Sequence, residues 1–189
     1  MHVNNEQVNT QKMLEHNRMK ERVVQGSLQR SLVDVVSSNI DMRESTILNC
    51  KDYSPESTLK NLFSTSCKIE SDADNQIIIK LKFLEKVDGN QIIFYPSEEG
   101  ENHPRLVKLF VNRNELDFAD IDSVPPTAQF ELPFEYENNS FSVSLAGSKF
   151  TRMQSLLIFI EDNFGTDTTC LSRIRIEGFL SPTYHTEYK

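Results

Sequence analysis

The sequence contains no tryptophan and has only three cysteines, Cys50, Cys67 and Cys170, which stand far apart. No two of them form a C-x-x-C pair, so the sequence has neither a thioredoxin-type redox motif nor a zinc knuckle. We expect all three to be thiols in a reducing compartment. The lack of tryptophan also weighs against a site that stacks sugars on an indole ring.

Long hydrophobic segments are absent as well. No run approaches the roughly 18 apolar residues that a membrane span requires. Residues 1–11 are polar and lack the apolar core of a signal peptide. We therefore predict a cytoplasmic and/or nuclear protein. The net charge of -8 repels nucleic acids and anionic membranes, which predicts that neither is a partner, and it suits a partner with a locally basic surface.

The sequence also has none of the common catalytic motifs: no G-x-S-x-G, no H-E-x-x-H, no Walker loop and no G-x-G-x-x-G. All of its histidines lie outside the predicted strands: His2, His16, His103 and His185. General acid–base catalysis needs such groups held near chemically matched partners. We therefore predict a non-enzymatic protein without a cofactor.

The sequence does contain many short alternating segments. In the segment from Ser71 to Phe83, Ile77, Ile79, Leu81 and Phe83 point to one face and alternate with polar residues. Similar strands are predicted at 91–95, 105–111, 128–134, 141–145, 154–161 and 171–179. These seven runs are separated by loops rich in Pro, Asn, Asp and Gly, without long helices, which is typical of an antiparallel β-sandwich. A short helix is predicted at 58–63.

The organisation along the chain follows from the same patterns. Residues 1–30 are polar and mildly basic, and we predict a flexible or weakly helical extension there. Residues 31–180 form the predicted sandwich domain, and 181–189 form a C-terminal tail. The helical spacing of apolar residues over 28–36 predicts a short helix or turn at the entry to the domain.

One candidate partner-binding surface consists of basic strand residues and tail tyrosines. Arg173 and Arg175 share one exposed strand face, to which lysines of another strand could add, and such arginines can anchor carboxylates of a partner. The alternative is a solvated charged face that protects the sheet. Tyrosine is enriched at protein interfaces, so the two tyrosines of the C-terminal tail are added to the candidate residues. The full candidate set is Lys80, Lys82, Arg173, Arg175, Tyr184 and Tyr188.

Acidic residues cluster in three loops, at 72–74, 117–122 and 161–167. Calcium prefers oxygen ligands of this kind, but the spacing matches no EF-hand loop. Turn-forming aspartates in solvated loops are the favoured interpretation. We therefore predict no metal site, and a calcium-binding loop remains the alternative.

Several motifs, in a fixed order, resemble the PITH domain, the proteasome-interacting thioredoxin domain. They extend over about 31–180, most of the chain, and are specific only together. The matching segments are Asn39-Ile40-Asp41 with Leu48-Asn49, Ser71-Asp72-Ala73-Asp74 with its strand, 104–112, Leu116-Asp117-Phe118-Ala119-Asp120, 127–132, Phe150, 155–163 with Gly165, Thr168 and Thr169, and Gly178.

The resemblance implies a jelly-roll β-sandwich of the galactose-binding-like type that docks on the proteasome, with the regulatory particle as partner. The chain is similar to the stand-alone branch of the family, because its N-terminal extension is short and has no C-x-x-C, so no redox function is carried over. We expect a monomer in the absence of the partner. The alternative is a jelly-roll module that binds a small ligand, a carbohydrate or calcium.

Overall fold

The structure is a computed structural model of the chain, and it describes residues 33–34, 39–63, 68–96, 100–136 and 139–181. The predicted extension at 1–30 lies outside the described residues, as does nearly all of the predicted tail. No helix in the described part of the chain is long and apolar enough to cross a bilayer.

Strands dominate the described residues. They are β1 (Val33–Asp34), β2 (Thr46–Leu48), β3 (Ile69–Glu70), β4 (Ile77–Pro96), β5 (Pro104–Val111), β6 (Ala128–Glu131), β7 (Phe141–Ser144), β8 (Met153–Asn163) and β9 (Cys170–Leu180). A π-helical turn (Pro55–Leu59) leads directly into a single helical turn, α1 (Lys60–Leu62). Short 3-10 turns occupy Gly100–Asn102, Ile121–Ser123 and Ser148–Phe150.

The long strand β4 turns back on itself. Its 20 residues would extend over roughly 66 Å if straight, yet both of its ends lie beside the start of β9. Thr169 donates a hydrogen bond to the carbonyl of Asn75, just before β4, and Leu171 pairs with Pro96 at its end. The turn lies near Val87, which pairs with both β8 and β9.

This bend distributes the strands over two layers. The first half of β4 lies in a layer with the order β2-β4-β8-β5-β6, and the second half lies in a layer with the order β7-β4-β9-β1, in which β3 also pairs with β9. Every pairing is antiparallel. The structure therefore confirms the predicted antiparallel β-sandwich.

The main core lies between the two layers. The inward residues of β4 predicted from the alternation, Ile77, Ile79, Leu81 and Phe83, are all buried in it. The second layer contributes further buried apolar side chains, which are Ile92, Phe94, Leu171, Ile174 and Ile176. The period of two thus gave the correct face for these strands.

A second, smaller core covers the outer side of the first layer. Ile78, the residue that breaks the alternation, is buried there under Leu116 and Ile121 from the loop that follows β5. The other buried members are Phe110, Leu157 and Phe159. This loop therefore explains why a strand that looked half-exposed has a two-sided apolar segment.

The strand predicted at 91–95 is present but continues an earlier run, and two other local predictions were wrong. Residues 91–95 belong to the second half of β4, because this strand pairs with β9 from Val87, at the bend, to Pro96. The strand predicted at 128–134 ends at Glu131, just before Pro133, which has no N–H to donate to a ladder. Val33 and Asp34 are extended, because pairing with β9 overrides the helical spacing around them.

Candidate functional site

The outer side of the second layer carries a basic surface, which we call the arginine face: Ile93 and Tyr95 of β4 with Arg173 and Arg175 of β9. Arg173 pairs with Tyr95 and Arg175 with Ile93 in the ladder. The guanidinium carbon of Arg173 lies 4.5 Å from the centre of the Tyr95 ring. Stacking on an aromatic ring stabilises this cation and fixes its orientation.

The two arginines differ in their surroundings. The Nη2 atom of Arg175 lies 2.8 Å from Oε1 of Glu177, a carboxylate that is only 7% exposed and also accepts from Gln91. Arg175 therefore serves to neutralise a buried charge. Arg173 is held by its ring contact with Tyr95, which makes it the better anchor for a partner carboxylate.

The structure does not bring the candidate lysines to this face. Lys80 lies opposite Leu157 of β8 and Thr46 of β2, and Lys82 lies opposite Ser155, all in the first layer. Because β4 bends, its two halves lie in different layers. The lysines therefore point outward from the first layer, on the side of the sandwich opposite the arginine face. Both side chains are partly buried. The candidates Tyr184 and Tyr188 lie outside the described residues.

Loops gather at the end of the sandwich where β4 starts and ends. Residues 100–105, 131–136 and 162–169 meet there, and we call them the loop end. Asn163, 2% exposed, is its hub: its Nδ2 donates to the carbonyl of Thr168 (3.0 Å) and to Oγ1 of Thr169 (3.1 Å). Its Oδ1 accepts from the amides of Gly165 (2.9 Å) and Thr166 (3.1 Å). These bonds fix the connection between β8 and β9.

Aromatic rings pack on one another at the loop end. His103, 4% exposed, is surrounded by Phe134, Tyr136 and Phe164, with ring centres 5.6, 5.1 and 4.9 Å away. Phe134 also meets Phe164 edge-on, with centres 5.1 Å apart. We call these residues the aromatic cluster. Strand periodicity did not indicate this cluster, and in the sequence His103 is a loop histidine; the closely spaced pair Phe134 and Tyr136 was the available clue.

An ion-pair network borders the aromatic cluster. Arg105 pairs with Asp162 and, at 3.1 Å, with Glu131. The hydrogen bond and charge of Asp162, followed by those of Glu131, raise the pKa of the Arg105 guanidinium. Asp162 also accepts from Asn75 at 3.0 Å. The single arginine of the loop end is thus bound by carboxylates of the same chain.

The acidic loops act as turns where the structure describes them. Asp74 accepts from the amide of Gln76 (2.9 Å) and Asp117 from that of Ala119 (2.9 Å). Within the described ranges, no three His, Cys, Asp or Glu side chains lie close enough to hold a metal ion. The hydrogen bonds of Asp74 and Asp117 agree with the favoured interpretation of these aspartates as turn formers.

A pH-dependent prediction arises from Tyr136. Its hydroxyl is buried without a hydrogen-bond partner among the described residues, and burial raises the pKa of this hydroxyl. The unfolded chain releases the proton above its usual pKa of about 10 while the folded chain retains it. Stability should therefore fall as the pH rises above about 10.

Tyr136→Phe should reduce this alkaline loss, and at neutral pH it should leave the unfolding free energy unchanged or higher by about 1 kcal/mol. Urea titrations at neutral and alkaline pH measure both effects, and Tyr95→Phe, which keeps Tyr136, serves as the control. An alkaline loss equal to that of the unmodified chain would show that Tyr136 is not its source.

Comparison with known proteins identifies sequence relatives of this chain. A family model described as PITH domain matches residues 27–187. Thioredoxin-like protein 1 of Schizosaccharomyces pombe is 35% identical over 141 residues, 71% of this chain and 49% of that protein. PITH domain-containing protein 1 of Homo sapiens is 27% identical over 157 residues, 79% of this chain and 72% of that protein. The chain spans about half the length of several relatives, including 56% of a second S. pombe protein.

Solved structures with a similar fold include carbohydrate-binding modules. One is a CBM32 module from Clostridium perfringens solved with GalNAc-β-1,3-galactose; it has a TM-score of 0.53 at 10% identity and covers 74% of this chain and 99% of that chain. A family 32 module of C. perfringens NanJ, solved with galactose, has a TM-score of 0.52 at 10% identity, with 74% and 97% covered. At this identity the likeness establishes the galactose-binding-like jelly-roll fold alone.

Proposed function

The chain belongs to the PITH domain family, and we propose that it is a non-enzymatic docking module that associates with the regulatory particle of the proteasome. Membership supports this proposal, since the family is named for interaction with the proteasome. The observation that carries the docking role is Arg173, stacked 4.5 Å from the Tyr95 ring on a rigid sheet face. No cofactor enters the proposal.

The arginine face suits a carboxylate-bearing partner for physical reasons. A guanidinium donates two parallel hydrogen bonds to a carboxylate, and its planar fork needs a fixed orientation to do so. Because Tyr95 already supplies that orientation, less side-chain entropy is lost on binding. Ile93, half-buried beside Arg175, adds an apolar contact.

The remaining residues take secondary roles in this proposal. Lys80 and Lys82, on the other layer, and Tyr184 and Tyr188, in the tail, add contacts to a large assembly. The protein acts in the cytoplasm and/or nucleus and is a monomer in the absence of its partner. Because the chain spans only about half the length of several relatives, these roles are proposed for this module alone.

Arg173→Glu should weaken binding to the purified proteasome by at least about tenfold, because it replaces an attractive charge pair with a repulsive one. The measurement is a titration of labelled protein with purified proteasome at physiological ionic strength. Arg113→Glu is the control for the same change of charge: Arg113 has 44% of its side chain in solvent and belongs to the loop that covers the first layer.

Equal affinity of Arg173→Glu and the unmodified chain would reject the arginine face as the docking surface. Absence of any saturable binding by the unmodified chain would reject the proposed function itself. An equal loss in Arg113→Glu would show a general charge effect in place of a specific contact.

A further inference from the structure

The aromatic cluster presents one ring to solvent. Phe134 is 50% exposed, while His103 beneath it is 4% exposed. Phe134 belongs to no strand and lies between Pro133 and Glu135, both exposed. Its position is set by edge contact with Phe164 and a tilted contact with His103. A large exposed aromatic side chain on a firm base is the usual form of an interface anchor.

The base under Phe134 is rigid. The amide of Phe164 donates to the carbonyl of Glu101 at 3.2 Å, and that of Leu132 donates to the carbonyl of Arg105 at 2.7 Å. The hub of Asn163 fixes the residues that follow Phe164. The three segments of the loop end are therefore joined by hydrogen bonds, and the ring is held ready for a partner without a large ordering cost.

The surroundings of Phe134 are acidic. Residues 100–105, 131–136 and 162–169 carry Glu101, Glu131, Glu135, Asp162 and Asp167 against a single cation, Arg105. Both charge partners of Arg105 are among these carboxylates. The loop end is thus acidic even after its arginine is counted, whereas the arginine face on the second layer is basic.

We infer that the loop end binds a basic segment of a protein partner, with an arginine or lysine side chain over the Phe134 ring and neighbouring cations paired with the surrounding carboxylates. An aromatic face attracts a cation, and carboxylates near it strengthen and steer that attraction. This inference rests on the proposed function and adds to it a second contact surface that selects charge of the opposite sign.

Fluorescence polarisation with a labelled arginine–glycine repeat peptide tests this inference. The full chain should bind the peptide saturably and more tightly at low ionic strength. Phe134→Ala should weaken binding by about fivefold or more, as expected for loss of a cation–π contact. Glu135→Gln should weaken it at low ionic strength and lose this effect at high ionic strength. Phe118→Ala is the matched control, since Phe118 is 36% exposed on the first layer.

The inference is overturned if the peptide does not bind, if Phe134→Ala binds it as well as the unmodified chain does, or if Phe118→Ala loses as much affinity. It is also overturned if a glutamate–glycine repeat peptide or galactose binds in a Phe134-dependent manner. The proteasome titration separates the two proposals: loss of affinity in Arg173→Glu with none in Phe134→Ala rejects this inference alone. Binding of the basic peptide with no binding to the proteasome rejects the proposed function alone.

Discussion

Replacing Phe83 by alanine is expected to lower the free energy of unfolding by about 3–5 kcal/mol. Phe83 is 4% exposed and belongs to the core between the two layers. It lies in β4 shortly before the bend and opposite Ile40, with which it forms an isolated bridge. Truncation would leave a cavity in this core.

Leu84→Ala is the matched control for this substitution. Leu84 is the next residue along the chain and is 63% exposed, so its truncation should change stability by no more than about 0.5 kcal/mol. Urea unfolding followed by circular dichroism measures both. Similar costs at the two positions would contradict the assignment of Phe83 to the inward face and Leu84 to the outward face of β4.

Asn163→Ala is expected to cost about 2–4 kcal/mol, because it removes several hydrogen bonds of one buried side chain at once. The amides of Gly165 and Thr166 lose their acceptor, the carbonyl of Thr168 loses one of its two donors, and the hydroxyl of Thr169 loses the donor that Asn163 supplies. The connection between β8 and β9 supports Phe164, so amide exchange should rise there before it rises in β4.

Thr166→Ala provides a graded comparison for the Asn163 hub. It removes one hydroxyl that accepts from Asn163 at 3.0 Å and donates to the carbonyl of Thr168 at 2.8 Å, and should cost about 1 kcal/mol. Hydrogen exchange and urea titration report both variants. A cost for Asn163→Ala no larger than that for Thr166→Ala would contradict the assignment of Asn163 as the hub.

Alternation along the strands was sufficient to predict much of the fold. The inward side chains of β4 and β9 followed from a period of two, and so did the outward position of Arg173 and Arg175. The two arginines of the arginine face could therefore be selected from sequence. What the sequence could not supply was the Tyr95 ring under Arg173, because pairing partners depend on register between distant segments.

The bend of β4 is the clearest feature that local patterns do not contain. It depends on close approach of two strands: a Cβ on Gly178 would lie 2.4 Å from the carbonyl oxygen of Asp88 and 3.2 Å from the Cα of Gly89. Only glycine permits this contact. Because the bend sends the two halves of β4 into different layers, it also separates Lys80 and Lys82 from the arginine face.

The aromatic cluster escaped prediction for a related reason. His103, Phe134 and Phe164 come from three segments far apart in sequence. Of these residues only Phe134 falls in a predicted strand, 128–134, and the observed strand ends before it. Only the antiparallel pairing of β5 with β6 and β8 brings these loops to one end. Sites built from loop residues on a rigid scaffold are the features that periodicity describes least.

Affinity purification of the tagged chain, with subunits quantified by mass spectrometry, tests the docking proposal most directly. The account predicts that subunits of the proteasome regulatory particle co-purify with the unmodified chain and with Arg113→Glu, and are strongly depleted with Arg173→Glu. A preparation of the unmodified chain that contains no proteasome subunits above background would contradict it.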